Sequence, residues 1–192
     1  MSRRLSRRLI VGIALPLWLS ACALLQRPLP EFPLAAPNKV PAREFQQSIA
    51  VEYRQQHFLL LVAGHISAEA VELAALTPEG VSLFTLRYDG EHMDVRYQLA
   101  AQDSVRKQQL PPAAIVADLQ LVYWPVAALN ERGGTHWQVR ETATQRELLF
   151  DGKPVERATY SGADPWSAPV QLEHLRYGYR LTITTLTQTL LP

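Results

Sequence analysis

The stretch VELAALTPEGVSLFTLRYDGEHMDVRYQL, residues 71–99, decides the fold. Val71 to Leu76 leads into Thr77-Pro78-Glu79-Gly80, with proline second and glycine last in a four-residue turn. Val81 to Tyr88 follows, then Asp89-Gly90, then His92 to Leu99. Asp-Gly between alternating segments is a strong hairpin signal. Upstream, Phe45 to Arg54 sets Ile49, Val51 and Tyr53 on one face, and Phe58 to Val62 is a continuous apolar run. Residues 45–99 therefore predict a meander of about five antiparallel strands.

Further along the chain the period changes. Leu110-Pro111-Pro112 opens a segment in which Ile115, Leu119 and Val122 recur at helical spacing, and proline suits a first helical turn. Trp124-Pro125 interrupts it, Val126 to Asn130 reads as a second short helix, and Gly133-Gly134 closes the region. Strands return at His136 to Glu141 and Arg146 to Phe150, and Asp151-Gly152 turns into Pro154 to Tyr160. Val170 to Leu186 reads as one long alternating stretch, with Tyr177, Tyr179, Leu181 and Ile183 on one face. The order is sheet, short helices, sheet. It predicts one curved antiparallel sheet with helices crossing one side.

The amino-terminal end carries a different kind of information. Arg3, Arg4, Arg7 and Arg8 precede Leu9 to Leu19, a run without charge. A basic segment before about 7–15 apolar residues is the pattern of an export signal, and the run is shorter than the roughly 20 residues a spanning helix needs. It ends on Leu19-Ser20-Ala21-Cys22, which resembles the lipobox of bacterial lipoproteins. The resemblance implies cleavage before Cys22, with Leu19, Ser20 and Ala21 as the peptidase recognition residues and Cys22 as the lipidated one. Ala23, rather than aspartate, implies sorting to the outer membrane, lipid-anchored and on its periplasmic face. Several acyl chains on one residue hold durably where one does not.

Cleavage changes the arithmetic. The 192-residue chain has 19 basic and 18 acidic residues, a formal charge of +1. Losing four arginines leaves 15 basic residues, and a mature chain at −3. With 47% hydrophobic and 19% charged positions, the composition is globular. Nothing in it suggests nucleic-acid binding. A single cysteine excludes an internal disulfide, a CxxC pair and a multi-thiolate zinc site.

Residues 22–44 contain Pro28, Pro30, Pro33, Pro37 and Pro41 without a glycine. This predicts an extended tether, about 3.1 Å per residue. A proline-rich arm packed on the domain is the other reading. The domain proper is expected over 45–192.

Catalytic and metal motifs are absent from the sequence. His57, His65, His92, His136 and His174 form no HExxH or other close pair. His92 and Asp94 share a strand face, which is more often solvated than metal-binding. There is no GxSxG, P-loop or GxGxxG. Glu69 and Glu72 make only a nominal acid pair. The expectation is a chain that is not an enzyme and needs no metal and no cofactor. Phe84 and Tyr88 on one strand, and Tyr177 and Tyr179 on another, suggest an apolar concave face. That face is either an ordinary core under the helices or a cavity for a chain-like ligand.

The order of segments resembles the LolA/LolB class of lipoprotein-handling proteins. Three places carry the resemblance. Thr77-Pro78-Glu79-Gly80, followed by Val81-Ser82-Leu83-Phe84, resembles a Pro-x-Gly loop of that class. Leu119 to Pro125 resembles its helix ending before a proline, and Gly178-Tyr179-Arg180-Leu181-Thr182-Ile183 its late basic strand. More closely, the chain is similar to LolB-like lipoproteins encoded with the enzymes that make aryl polyene pigments.

The resemblance implies a mainly β (α+β) fold: an unclosed antiparallel barrel of about 9–11 strands covered by short helices, enclosing an apolar cavity. It implies a cavity wall drawn from Phe84, Leu86, Tyr88, Leu119, Val122, Tyr177, Tyr179, Leu181 and Ile183. It implies a hydrophobic, acylated cargo (a lipoprotein, a lipid or an aryl polyene lipid) and a periplasmic carrier protein as partner. A non-catalytic accessory lipoprotein of an envelope or polyene biosynthesis complex is the alternative. In LolB the middle of the Pro-x-Gly loop is an exposed apolar residue used in membrane insertion. Here it is Glu79, and a charge is poorly suited to entering a bilayer. That leaves lipid or polyene handling the more open.

Overall fold

The computed structural model describes residues 29–98 and 112–192. Leu19, Ser20, Ala21 and Cys22 lie outside the described residues, as does the Leu110-Pro111 start expected for the first helix.

The first five strands form the expected meander: β1 (Arg43–Tyr53), β2 (Gln56–Ile66), β3 (Val71–Leu76), β4 (Ser82–Tyr88) and β5 (Met93–Tyr97). Two helices follow, α1 (Pro112–Tyr123) and α2 (Val126–Gly133). The second meander is β6 (Trp137–Glu141), β7 (Gln145–Phe150), β8 (Lys153–Tyr160), β9 (Val170–His174) and β10 (Tyr179–Leu190). All ten strands belong to one antiparallel sheet, ordered β5-β4-β3-β2-β1-β10-β9-β8-β7-β6. The sheet is curved and unclosed. Its two meanders are joined by the pairing of β1 with β10, from Arg43–Leu190 to Tyr53–Tyr179.

Turn chemistry explains the register. Gly80, at φ +84°, closes the β3–β4 turn by donating its N–H to the Thr77 carbonyl at 2.9 Å. The Asp89 carboxylate accepts from the Glu91 and His92 amides at 3.0 and 2.8 Å and so shapes the next hairpin. The β1–β2 hairpin is tighter, with Arg54 and Gln55 both at positive φ (47° and 65°). That is the backbone of a two-residue primed turn, adopted here without glycine or asparagine.

One reading of the carboxy-terminal stretch is corrected. Val170 to Leu186 is not continuous. Leu175 to Gly178 form a turn in which Gly178, at φ +70°, donates to the His174 carbonyl at 2.8 Å. Tyr177 thus leaves the strand face and stacks on the His174 ring, centroids 4.4 Å apart.

From Glu31 onward the proline-rich stretch belongs to one compact unit with the strands and helices that follow it, up to Pro192. Phe32 and Ala35 are buried, and Phe32 meets Trp137 edge-on at 5.5 Å. Gln120 of α1 holds the Ala35 backbone as a strand would: it accepts from the Ala35 amide at 2.8 Å and donates to the Ala35 carbonyl at 2.7 Å. Trp124 donates to the Ala36 carbonyl, and Arg132 and Tyr88 both donate to the Leu34 carbonyl. These bonds use backbone groups that a prolyl-rich segment cannot satisfy within itself.

Helix α1 ends where Trp124-Pro125 requires. The Leu121 and Val122 carbonyls of its last turn, and that of Trp124 just past it, all accept from the Arg146 guanidinium at 2.8–3.1 Å. A cation at a helix carboxy terminus also opposes the negative end of the helix dipole.

Candidate functional site

The inner face of the sheet divides into two halves. Along β1 it carries Phe45, Gln47, Ile49 and Val51, which face Gly64, Val62, Leu60 and Phe58 of β2. At the Phe45 end the space is full. Phe45, Ile66, Val71, Leu86 and Tyr88 are all buried. The Phe45 ring lies across Gly64, where a Cβ would come within 2.0 Å of it.

At the other end the space is hollow. A cavity of about 140 Å³ lies between the sheet and α1. Its sheet wall includes Ile49, Phe58, Leu60, Phe84, Leu181 and Ile183, and its helix wall Ile115, Asp118, Leu119 and Tyr123. Ile49, Phe58, Leu60, Val62 and Leu181 are only half-buried. Apolar side chains held at intermediate exposure around a hollow mark a binding surface rather than a finished core.

The residues expected to line a cavity separate along this division. Phe84, Leu119, Tyr179, Leu181 and Ile183 line it. Leu86 and Tyr88 share a strand face with Phe84 but belong to the filled half, where the Tyr88 hydroxyl donates to carbonyls of Leu34 and Gly90. Val122 is fully buried in α1. Tyr177 sits in the β9–β10 turn. Glu79 is at the exposed tip of the β3–β4 turn, next to Val81 at 54% exposure.

Most of the polar groups at this site were not singled out from the sequence. Asp118, facing the cavity from α1, is 8% exposed. The Tyr179 hydroxyl donates to both of its carboxyl oxygens, at 2.8 and 2.7 Å. Glu156 of β8, 1% exposed, meets Asp118 carboxyl to carboxyl. The strand register explains this, because Tyr179, His174 and Glu156 are direct cross-strand neighbours on β10, β9 and β8.

Among the described residues, none of the groups that shift this pair is a cation. Burial pushes the Asp118 carboxyl up from 3.8 to about 7, and pushes Glu156 well above the usual carboxylate range. Proximity of the two raises Glu156 further. The His174 imidazole is lowered by burial to about 4, so it is neutral, and its Nδ1 accepts from the Tyr177 amide at 3.1 Å. Glu156 Oε1 is the one buried side-chain oxygen or nitrogen among the described residues with no hydrogen-bond partner. On the opposite wall the Gln47 amide donates to the Tyr123 hydroxyl at 2.7 Å. Burial raises the Tyr123 hydroxyl to about 12.

Among the described residues, no three His, Cys, Asp or Glu side chains are placed to hold a metal ion. His92 and Asp94 point to separate neighbours: Asp94 pairs with Arg96 at 3.1 Å, and His92 faces Asp89 at 3.8 Å. Glu72 pairs with Arg87 on the outer face, away from the cavity.

Fold and site together define an open antiparallel half-barrel with a one-sided apolar cavity and a buried acidic pair in its wall. The chain belongs to the family described as "Protein of unknown function (DUF3261)", whose model matches residues 44–187, from β1 into β10. No curated protein matches the chain. Two solved structures are similar to it at 8% identity and a TM-score of 0.41. One is a putative outer membrane lipoprotein-sorting protein domain from Vibrio parahaemolyticus, covering 78% of this chain and 85% of its own. The other is a LolA superfamily protein from Nitrosomonas europaea, covering 79% and 87%.

Proposed function

We propose that this chain is a periplasmic lipoprotein, anchored in the outer membrane through acyl chains on Cys22, that binds or transfers a hydrophobic acylated cargo. The observation that carries the reading is the hollow end of the half-barrel. Its volume, about 140 Å³, matches engineered apolar cavities that stay dry and take up a benzene-sized guest. It is smaller than the roughly 300–1,000 Å³ of a drug-sized pocket. The cavity therefore takes one end of a chain, against its half-buried wall of Phe58, Leu60 and Leu181. Each methylene moved from water onto that wall contributes about 0.8 kcal/mol.

Native mass spectrometry of the protein purified from its own envelope tests the reading. The expected result is a retained apolar ligand, lost when Leu60→Trp fills the wall. A protein that carries only the lipid on its own cysteine, and takes up no acyl or polyene ligand on refolding, sinks it. Cys22→Ala should separately release the chain from membranes.

A further inference from the structure

We infer that the cargo carries an amine beside its apolar chain, and that Asp118, backed by Glu156 and Tyr179, is the group that holds it. This rests on the cavity reading above and names the chemistry of its ligand.

A carboxyl in an apolar cavity wall is costly unless something compensates it. Here the nearest described partners compensate it only in part. Tyr179 supplies one hydroxyl proton, shared between both Asp118 oxygens at 2.8 and 2.7 Å. Glu156, a second acid buried to 1%, reaches Asp118 from behind and shares one carboxyl proton with it. His174, beside Glu156 on β9, has its Nδ1 occupied by a backbone amide. The arrangement has acceptor oxygens in excess and donors in deficit, and Glu156 Oε1 shows that deficit as an oxygen buried without a partner. Asp118 is also the one acidic residue among the described residues lining the cavity. A guest that brings donors corrects the imbalance.

An ammonium group suits the site best. It brings three donors and no acceptor, and its charge is matched by one carboxylate while the second carboxyl keeps its proton. An alcohol brings one donor and an acceptor the site does not need. A carboxylate or phosphate brings only acceptors and a like charge, which the low-dielectric wall penalises most. The polar row thus makes the cavity selective, accepting amine-bearing chains and rejecting anionic ones.

The test uses the full chain held in nanodiscs of zwitterionic lipid, titrated with hexylamine, hexanol and hexanoate, with empty nanodiscs as the blank. Aromatic fluorescence reads occupancy through Tyr123 and the Trp166 ring stacked on it at 3.8 Å. Hexylamine should bind at least tenfold more tightly than hexanol, and hexanoate most weakly. Asp118→Asn should remove the amine preference while leaving hexanol binding within about twofold. Glu156→Gln should reduce the same preference, and serves if the first variant folds poorly. Equal affinities, or a preference for hexanoate, overturn the inference and leave the cavity reading standing. No binding by any of the three overturns both.

Discussion

Asp118→Asn should make this protein more stable at both pH values, by about 1.5 kcal/mol at pH 5 and about 4 kcal/mol at pH 8. Burial raises the Asp118 carboxyl from 3.8 to about 7, so between those values the folded state holds a proton that the unfolded chain has released. Stability is then fully present below about pH 4 and is lost as pH rises through about 7. At about 1.4 kcal/mol per unit, the whole loss is about 4 kcal/mol. Roughly 1.5 kcal/mol of it has gone by pH 5, which leaves about 2.5 kcal/mol to be lost between pH 5 and pH 8. Asparagine removes this titration. It still offers Tyr179 an acceptor, and its amide can donate to the unpartnered Glu156 Oε1. His174 works in the opposite sense. Its imidazole is lowered to about 4, so stability present above the ordinary histidine value is lost as pH falls from about 6.5 toward 4. Comparing wild type with the variant at each pH cancels that contribution. Urea denaturation at pH 5 and pH 8 is the assay, and the gap between the two proteins should widen by about 2.5 kcal/mol, or about 5–10 °C in Tm. A variant that tracks wild type at both pH values, or one less stable at pH 8, refutes the assignment of a protonated acid pair.

Other elements of the fold make their own predictions. Gly64→Ala puts a Cβ against the Phe45 ring; overpacking there should cost about 1–3 kcal/mol and change the near-ultraviolet signal of the Phe45–Trp166 pair. Arg146→Met leaves the Leu121 and Trp124 carbonyls without this donor and Val122 with only the Tyr160 hydroxyl, and thermal unfolding should report a loss of about 2 kcal/mol. Gln120→Ala cuts both bonds to Ala35, so limited proteolysis should cleave within residues 31–41 while the half-barrel survives.

The strands were legible because their boundaries are written locally. Alternation and the Thr77–Gly80, Asp89-Gly90 and Asp151-Gly152 turns depend on residues within a few positions of one another. The β1–β2 hairpin lacked such a sign, since Arg54 and Gln55 accept positive φ only because two eleven-residue strands are paired on either side. Tyr177 misled because Tyr177, Tyr179 and Leu181 keep the period of a strand straight through a turn. The acidic pair was hidden for a stronger reason. Asp118 and Glu156 are far apart in sequence and meet only through the register of three strands and the placement of a helix. The nearer pair, Glu69 and Glu72, has no such meeting. The proline-rich arm is similar, because its partner Gln120 is 85 residues away.

Area explains why a chain of this design keeps a hollow. Ten strands spaced about 4.8 Å apart make a sheet roughly 43 Å wide. Helices of 12 and 8 residues are about 18 and 12 Å long, with a footprint about 10 Å wide. They cannot cover the inner face of such a sheet. The arm over residues 31–42 supplies a third cover, and Phe32, Ala35, Trp124 and Trp137 are buried with it. It closes the Tyr88 side and leaves the wall of Phe58, Leu60 and Leu181 half-exposed. A face of that kind is a liability in a free protein unless something else covers it for part of its working cycle. The buried carboxyl of Asp118 lies in the wall of that uncovered half, where a structural role would be met more cheaply by an apolar side chain. On the reading proposed above, the hollow and the acid are one feature, shaped for a guest that brings both an apolar chain and hydrogen-bond donors.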